Sequence, residues 1–478
     1  MKRLIPFVVA LVALASCTSK PEWTEKAETI HAVTDLAHEF TFYADNRFHD
    51  QYLPSKDGAR NWCNLYEFDF SNCNLLILLD CNPRIGYNEK DRAVIKQFLA
   101  DGGGVLVCGT EKSEAQNSLL ADYGAKFTAS SEAPLKANGA YEGLSLNDKG
   151  NYVAELDDAK KWEVVVEDAK SQPVMARRKV GKGTLLISSR NMAGSHPSAR
   201  DSINSPLWKP ILKEVAAGKV VDPSSKPKSK GISHLEHNDD HGTFMLCYND
   251  YMKPYADEMV NIYKASFPYI ENRMGVPLTP GMASKLTLLA TGGGGFSSGQ
   301  VVALAVWWGG FPEKKDSMIE FLTHESVHSW VLPFAEVWNE PIATYVGNLV
   351  MMDMGYEEEA MKRIQSTIDR ASKYDESMKN YDIRGNLTGK GEELDNGAKN
   401  NIHWGKAYWV FEELRKQNPD FIADYFQAKR RLATKEVVKK YDMNNTVAVM
   451  SVAMGKDMFP WFNKHGMPVS RAKADIKF

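Results

Sequence analysis

The sequence predicts two bodies of different class: an amino-terminal α/β domain on an open, mostly parallel sheet, and a second domain of α+β type that is mostly helical. Three observations carry this. Two continuous apolar runs, Asn74-Leu-Leu-Ile-Leu-Leu-Asp80 and Gly104-Val-Leu-Val-Cys-Gly109, flank an amphipathic stretch in the manner of buried parallel strands around a helix. A Pro/Ser/Lys-rich stretch, Lys219-Val-Val-Asp-Pro-Ser-Ser-Lys-Pro-Lys-Ser-Lys-Gly231, has linker composition. Beyond it, helical spacing dominates and surrounds the motif His324-Glu-Ser-Val-His328.

In chain order, Met1-Lys-Arg and the apolar residues 4–15 form a basic region and a hydrophobic stretch too short to span a bilayer, which predicts an export signal over 1–16. Leu14-Ala-Ser-Cys17 resembles the bacterial lipobox, which implies a lipid on Cys17, a tether over 17–23 and a protein anchored in the cell envelope of a bacterium, at the outer membrane. Between 24 and 218, the helix is placed at Glu89–Ala100 before Gly102-Gly-Gly104, giving a β-α-β unit whose crossover is expected to be right-handed. Gly181-Lys-Gly-Thr-Leu-Leu-Ile-Ser-Ser189 reads as a turn into a late strand. This order resembles the class I glutamine amidotransferase-like fold, with Cys108 near that family's cysteine elbow and His196 near its late histidine. The Gly-x-Cys-x-Gly elbow is absent, so Cys108 reads as a buried strand thiol and the domain as a non-catalytic accessory. An amidohydrolase or transferase centred on Cys108 and His196 is the weaker rival.

The linker is placed at 219–233 and the second domain at 234–478. There a long helix is expected over Asp250–Met274, a strand at Lys285–Ala290, and a second at Val301–Trp308, along which an extended peptide would lie. In Glu320-Phe-Leu-Thr-His-Glu-Ser-Val-His-Ser-Trp330, residues four apart share one helix face. His324 and His328 therefore reach one zinc ion, and Glu325 faces the water position of that metal as general base. Independent residue frequencies give a chance match in roughly one chain per hundred of this composition, which makes coincidence a poor explanation. Ile319, Leu322, Val327 and Trp330 supply a buried side, and Pro333 stops the helix. Catalytic zinc takes a third protein ligand. Glu340, opening a second apolar-periodic segment with Pro341 in its first turn, is the choice over Glu336 in the connecting turn.

His-Glu-x-x-His followed by Asn339-Glu-Pro-Ile-Ala-Thr-Tyr345 resembles the gluzincin metallopeptidases, and Met450–Val469 is similar to the terminal helical region of their enhancin-like, mucin-cleaving branch. The resemblance implies His324, His328 and Glu340 as zinc ligands, Glu325 as base, and hydrolysis of peptide bonds in a protein, peptide or glycoprotein substrate. Pro341 stands where the family has glycine, and Gly292-Gly-Gly-Gly-Phe-Ser-Ser-Gly299 replaces the Gly-x-Met-Glu-Asn motif that holds a free amino terminus in aminopeptidase N-like members. Ile402-His-Trp-Gly-Lys-Ala-Tyr-Trp-Val-Phe411 is similar to the helix carrying the family's transition-state tyrosine, which implies His403 first and Tyr408 second as the oxyanion donor. The alternative is a surface-anchored binding lipoprotein with an inactive peptidase fold.

The 58 basic against 61 acidic residues give a formal net charge of −3, which offers no field for nucleic acid. Beyond Cys17, the thiols Cys63, Cys73, Cys81, Cys108 and Cys247 form an odd, sparse set, no disulfide framework, with room for one bridge among the first four. Trp307, Trp308, Trp330, Trp338, Trp404, Trp409 and Trp461 crowd the second domain and are expected mainly in its core.

Overall fold

The computed structural model describes residues 23–39, 48, 51–53, 58–193, 203–290, 294–330, 337–389, 391–433, 438 and 440–478. Cys17, His196, Pro333 and Glu336 lie outside the described residues.

The apolar runs become strands because every residue in them is taken into a core. In the first body, β1 (Ala32–Asp35), β2 (Ala59–Asn61), β3 (Leu75–Leu78), β4 (Gly104–Gly109), β6 (Lys136–Ala137), β8 (Glu163–Glu167), β9 (Pro173–Val180) and β10 (Gly183–Ser189) form one sheet in the order β2-β1-β3-β4-β10-β9-β8-β6. Its half from β2 to β10 is parallel and reads as near-continuous apolar sequence, since helices cover it. The other half, from β10 to β6, is antiparallel, a limb that the sequence pattern does not announce. A separate ribbon pairs β5 (Ala125–Ser130) with β7 (Tyr152–Leu156). Helix α1 (Glu89–Ala100) begins where the Asn88 side chain accepts from the Asp91 amide, and it ends before Gly102 at φ 100°. Further helices of this body among the described residues are α2 (Glu114–Ala121) and α3 (Ser205–Val215).

The second body has its own core. A five-stranded sheet runs in the order β11-β12-β13-β15-β14, from β11 (His237–Asp240), β12 (Met245–Tyr248), β13 (Lys285–Leu289), β14 (Gly295–Ser297) and β15 (Val301–Ala305). The expected strand at 301–308 thus stops at Ala305 and lies inside the sheet; the edge belongs to β14. The expected helix over 250–274 begins as a 3-10 turn holding Pro254, and the α-helix proper is α4 (Ala256–Met274). Then follow α5 (Lys315–Val327), α6 (Asn339–Asp353), α7 (Glu357–Ser372), α8 (Asn396–Gln417), α9 (Phe421–Leu432), α10 (Met443–Ala453) and α11 (Phe459–Lys464). None of the described helices is long and apolar enough to cross a membrane.

The segment expected as a linker is strapped to the first body. The Asn72 amide donates to the Asp222 and Ser225 carbonyls, and the Trp62 amide donates to the Lys230 carbonyl at 2.9 Å. The two bodies also share buried polar contacts. Asp91 on α1, wholly buried, accepts from the Leu65 amide at 2.8 Å and the Tyr251 hydroxyl at 2.7 Å, and pairs with His38 Nε2 at 3.1 Å. His38 Nδ1 stands 2.7 Å from Asp35, and its ring packs against Tyr87 and Tyr251, each at 4.8 Å. Burial opposes a charge on His38, but the two carboxylates outweigh it and raise its pKa to about 10. All five described cysteines are free and buried, so the bridge allowed for by the sequence is absent among them.

Candidate metal centre

Helix α5 presents its motif because Met318, Ile319, Leu322 and Val327 bury one side, leaving the histidines on the other flank. His328 is the last residue of the turn, in right-handed helical geometry at φ −56° and ψ −26°, so the four-residue stacking holds to the end. Helix α6 lies close against α5, and Gly347 permits it: a Cβ there would sit 2.7 Å from the Glu320 carbonyl oxygen. That close approach brings the first turn of α6, with Glu340, to the histidines.

Three ligand atoms converge. His324 Nε2 and His328 Nε2 are 3.1 Å apart, and the Glu340 carboxylate oxygens lie 3.3 Å from the first and 3.6 Å from the second. A zinc ion with bonds of about 2.0–2.1 Å in tetrahedral geometry spaces its ligand atoms by about 3.3 Å, the edge of that tetrahedron. The residues present therefore fit zinc. A grouping by mutual ligand-atom distance joins the two histidines with Glu325 instead. Glu325 Oε1, however, is 4.0 Å from His324 Nε2, farther than the Glu340 oxygen, which makes Glu340 the better third ligand.

The protonation state also suits a metal. Thr344, one turn beyond Glu340, donates its hydroxyl proton to the Glu340 carbonyl at 3.3 Å, so its oxygen accepts from His324 Nδ1 at 2.8 Å. That assignment puts the His324 proton on Nδ1 and the lone pair on Nε2, toward the cluster. Burial, with His328 alongside, lowers the His324 pKa and keeps the ring neutral. The His324 lone pair and the Glu340 carboxylate face each other, an arrangement that a cation between them would satisfy. Thr344 is absent from the residues the sequence singles out, although its position in the Glu340 helix, one turn on, is the available signal.

Glu325 is buried, at 5% exposure, and burial raises its pKa to about 7. It lies beneath the edge strand: a Cβ on Gly295 would sit 2.7 Å from Glu325 Oε1 and 2.8 Å from Phe321 Cζ. Only glycine lets β14 pass so close over the carboxylate.

The two oxyanion candidates are corrected by their surroundings. His403 Nδ1 lies 2.9 Å from the Ile383 carbonyl, which can only accept, so the one proton of the neutral ring is already used. Burial, with Arg384 nearby, holds that ring neutral, leaving Nε2 as an acceptor where an oxyanion needs a donor. Tyr408 is 1% exposed, packed on Tyr345 with ring centres 5.3 Å apart, and out of reach of a substrate. Cys108 is fully buried in β4 and burial pushes its thiol far up, which suits a core residue rather than a nucleophile. Of the tryptophans, Trp307, Trp330 and Trp338 are buried, whereas Trp308 is 41% exposed.

No family model matches the chain, and no curated protein matches it. Solved structures give distant likenesses: an exo-beta-1,4-mannosidase from an Opitutaceae bacterium at TM-score 0.29 and 12% identity, over 41% of this chain and 37% of that one. Native leukotriene A4 hydrolase from Saccharomyces cerevisiae aligns at TM-score 0.34 and 14% identity, over 48% of this chain and 37% of that one. A conserved protein of unknown function from Bacillus anthracis gives TM-score 0.32 and 13% identity, over 48% of each chain. The chain thus spans less than half the length of each of these structures. At such scores they carry no argument about chemistry, and the site stands on its own geometry.

Proposed function

We propose that the chain is a zinc-dependent peptidase that hydrolyses peptide bonds of extracytoplasmic proteins or glycoproteins, with Glu325 as general base, as its gluzincin-like motifs imply. The observation that carries this is the convergence of His324 Nε2, His328 Nε2 and Glu340 at the spacing of zinc ligands, with a buried carboxylate beside them. Zinc, when bound there, supplies the Lewis acidity that polarises a scissile carbonyl and makes water a nucleophile near neutral pH.

The chain's own residues do the rest. His324 and His328 present their Nε2 atoms, the first ring fixed by Thr344. Glu325 takes the proton of the attacking water and returns it to the leaving amine, a role that suits a carboxylate whose pKa burial has raised toward neutrality. The partly exposed edge strand β14 offers backbone groups to an extended polypeptide, and the run Gly292–Gly299 has no carboxylate to hold a free amino terminus, which favours internal cleavage. A lipid on Cys17 would hold this activity at a membrane surface.

The test is to incubate the full chain, and its Glu325→Gln variant, with a mixture of proteins and glycoproteins and to map new termini by mass spectrometry. Chelator-sensitive cleavage that the variant lacks is expected. Turnover of a confirmed substrate by Glu325→Gln would sink the mechanism.

A further inference from the structure

Two walls of the proposed cleft are touched by the first body, and by one short turn of it. The turn Asn82-Pro-Arg-Ile-Gly86 follows β3 and is closed by the Ile85 amide on the Asn82 carbonyl at 3.2 Å, with Gly86 at φ 66°. Asn82 is wholly buried, and its side-chain amide donates to the Ala290 carbonyl at 2.7 Å while its oxygen accepts from the Arg84 amide at 3.0 Å. Ala290 follows β13, just ahead of the glycine run that leads to β14, the strand lying over Glu325. Arg84 stands over the Trp307 ring at 5.6 Å, and Ile85 packs against the core of the second body as well as that of the first.

Trp307 is buried and leads directly into Trp308, whose exposed ring leans on Phe321 at 5.2 Å between centres. The Phe321 ring tip and Glu325 Oε1 meet at the same point under Gly295. A chain of neighbours therefore runs from Arg84 through Trp307 and Trp308 to Phe321, one helical turn before the base, and a second contact joins Asn82 to Ala290 at the end of β13. Both contacts from the turn fall just beyond the ends of neighbouring strands, β13 and β15, the second of which pairs with β14.

We propose that this turn is a working part of the cleft: Asn82 and Arg84 are positioning residues that set β14 over Glu325 and Trp308 beside it, so the amino-terminal body shapes the wall on which a peptide is received. The proposal rests on the zinc-peptidase reading and gives the first body a role in it. Trp308, flanked by Phe321 and two glycines, Gly309 and Gly310, meets a large apolar side chain of that peptide.

The experiment uses the full chain with its zinc, and measures kcat and KM on synthetic peptides that carry Phe or Ala next to the cleaved bond. Arg84 is exposed, so Arg84→Ala removes the cation without touching a core. Expected is a rise in KM of about fivefold for the Phe peptides relative to the Ala peptides, an unchanged kcat, one zinc per chain, and rescue by Arg84→Lys, which restores a cation over the ring. Asn82→Ala is expected to raise KM by about tenfold for both peptides with zinc retained. KM values within twofold of wild type in both variants would overturn the proposal while leaving the peptidase reading intact, as would a loss that Arg84→Lys fails to rescue. Absence of any cleavage by the wild-type chain would overturn both.

Discussion

Two of the histidine–carboxylate clusters among the described residues are built for opposite ends. At the junction of the two bodies, His38 gives both ring nitrogens to carboxylates, 2.7 Å to Asp35 and 3.1 Å to Asp91, and the group is sealed from water. At the α5–α6 pair, His324 and His328 share one carboxylate whose side chain is 56% exposed, and their Nε2 atoms face each other at 3.1 Å. The first cluster carries its own cation, the imidazolium. The second brings two imidazole nitrogens and a carboxylate to one point, with the His324 lone pair turned inward. Residue types alone do not separate a structural ion pair from a metal centre; what separates them is which nitrogen holds the proton and whether the carboxylate opens to solvent.

The contrast breaks most sharply on removal of one ligand. His324→Ala is expected to weaken zinc binding by at least about 10³-fold, or ~4 kcal/mol, while the junction stays folded; competition with a chromogenic chelator reads it. Asp91→Ala should do the reverse, costing about 3–5 kcal/mol of unfolding free energy in denaturant melts with one zinc still bound, because it strips a partner from a buried imidazolium. Equal loss of zinc in both variants would erase the distinction. Thr344→Val keeps the shape of α6 but removes the acceptor on His324 Nδ1, with an expected loss of about 10–100-fold in zinc affinity by the same titration.

The most gradual effect is one of pH. With a folded pKa of about 10 against the 6.5 of an unperturbed imidazole, His38 stabilises fully below pH 6.5, and that stability drains as pH rises toward 10. Wild type should lose up to about 1.4 kcal/mol per pH unit in this window relative to His38→Gln, measured as the difference between their denaturation midpoints. Parallel pH profiles for the two proteins would show that His38 carries no charge.

Much of the second cluster is legible in the amino-acid sequence, since helical periodicity fixes His324, Glu325 and His328 on one element and the Glu340 helix start is visible in its apolar spacing. Helix α1 is legible for a similar reason, with glycines after it and apolar strands on both sides. What stays hidden depends on contacts between distant segments. The Asp91 junction joins residues 160 positions apart, and no local pattern announces it. The antiparallel limb from β8 to β9 is short and irregular in register, so its alternation is broken by bulges. His403 and Tyr408 fail as oxyanion donors because a motif specifies position along a helix, whereas donor capacity depends on the Ile383 carbonyl and on burial. The same holds for β14, whose place at the sheet edge follows from pairing rather than from composition.

Whether His324, His328 and Glu340 together hold one zinc is read by X-ray absorption at the zinc edge. One zinc per chain is expected, with nitrogen and oxygen neighbours at about 2.0–2.1 Å, an imidazole scattering pattern from two rings, and loss of the ordered site in Glu340→Ala. A sulfur shell near 2.3 Å, or an unchanged spectrum in Glu340→Ala, would contradict it.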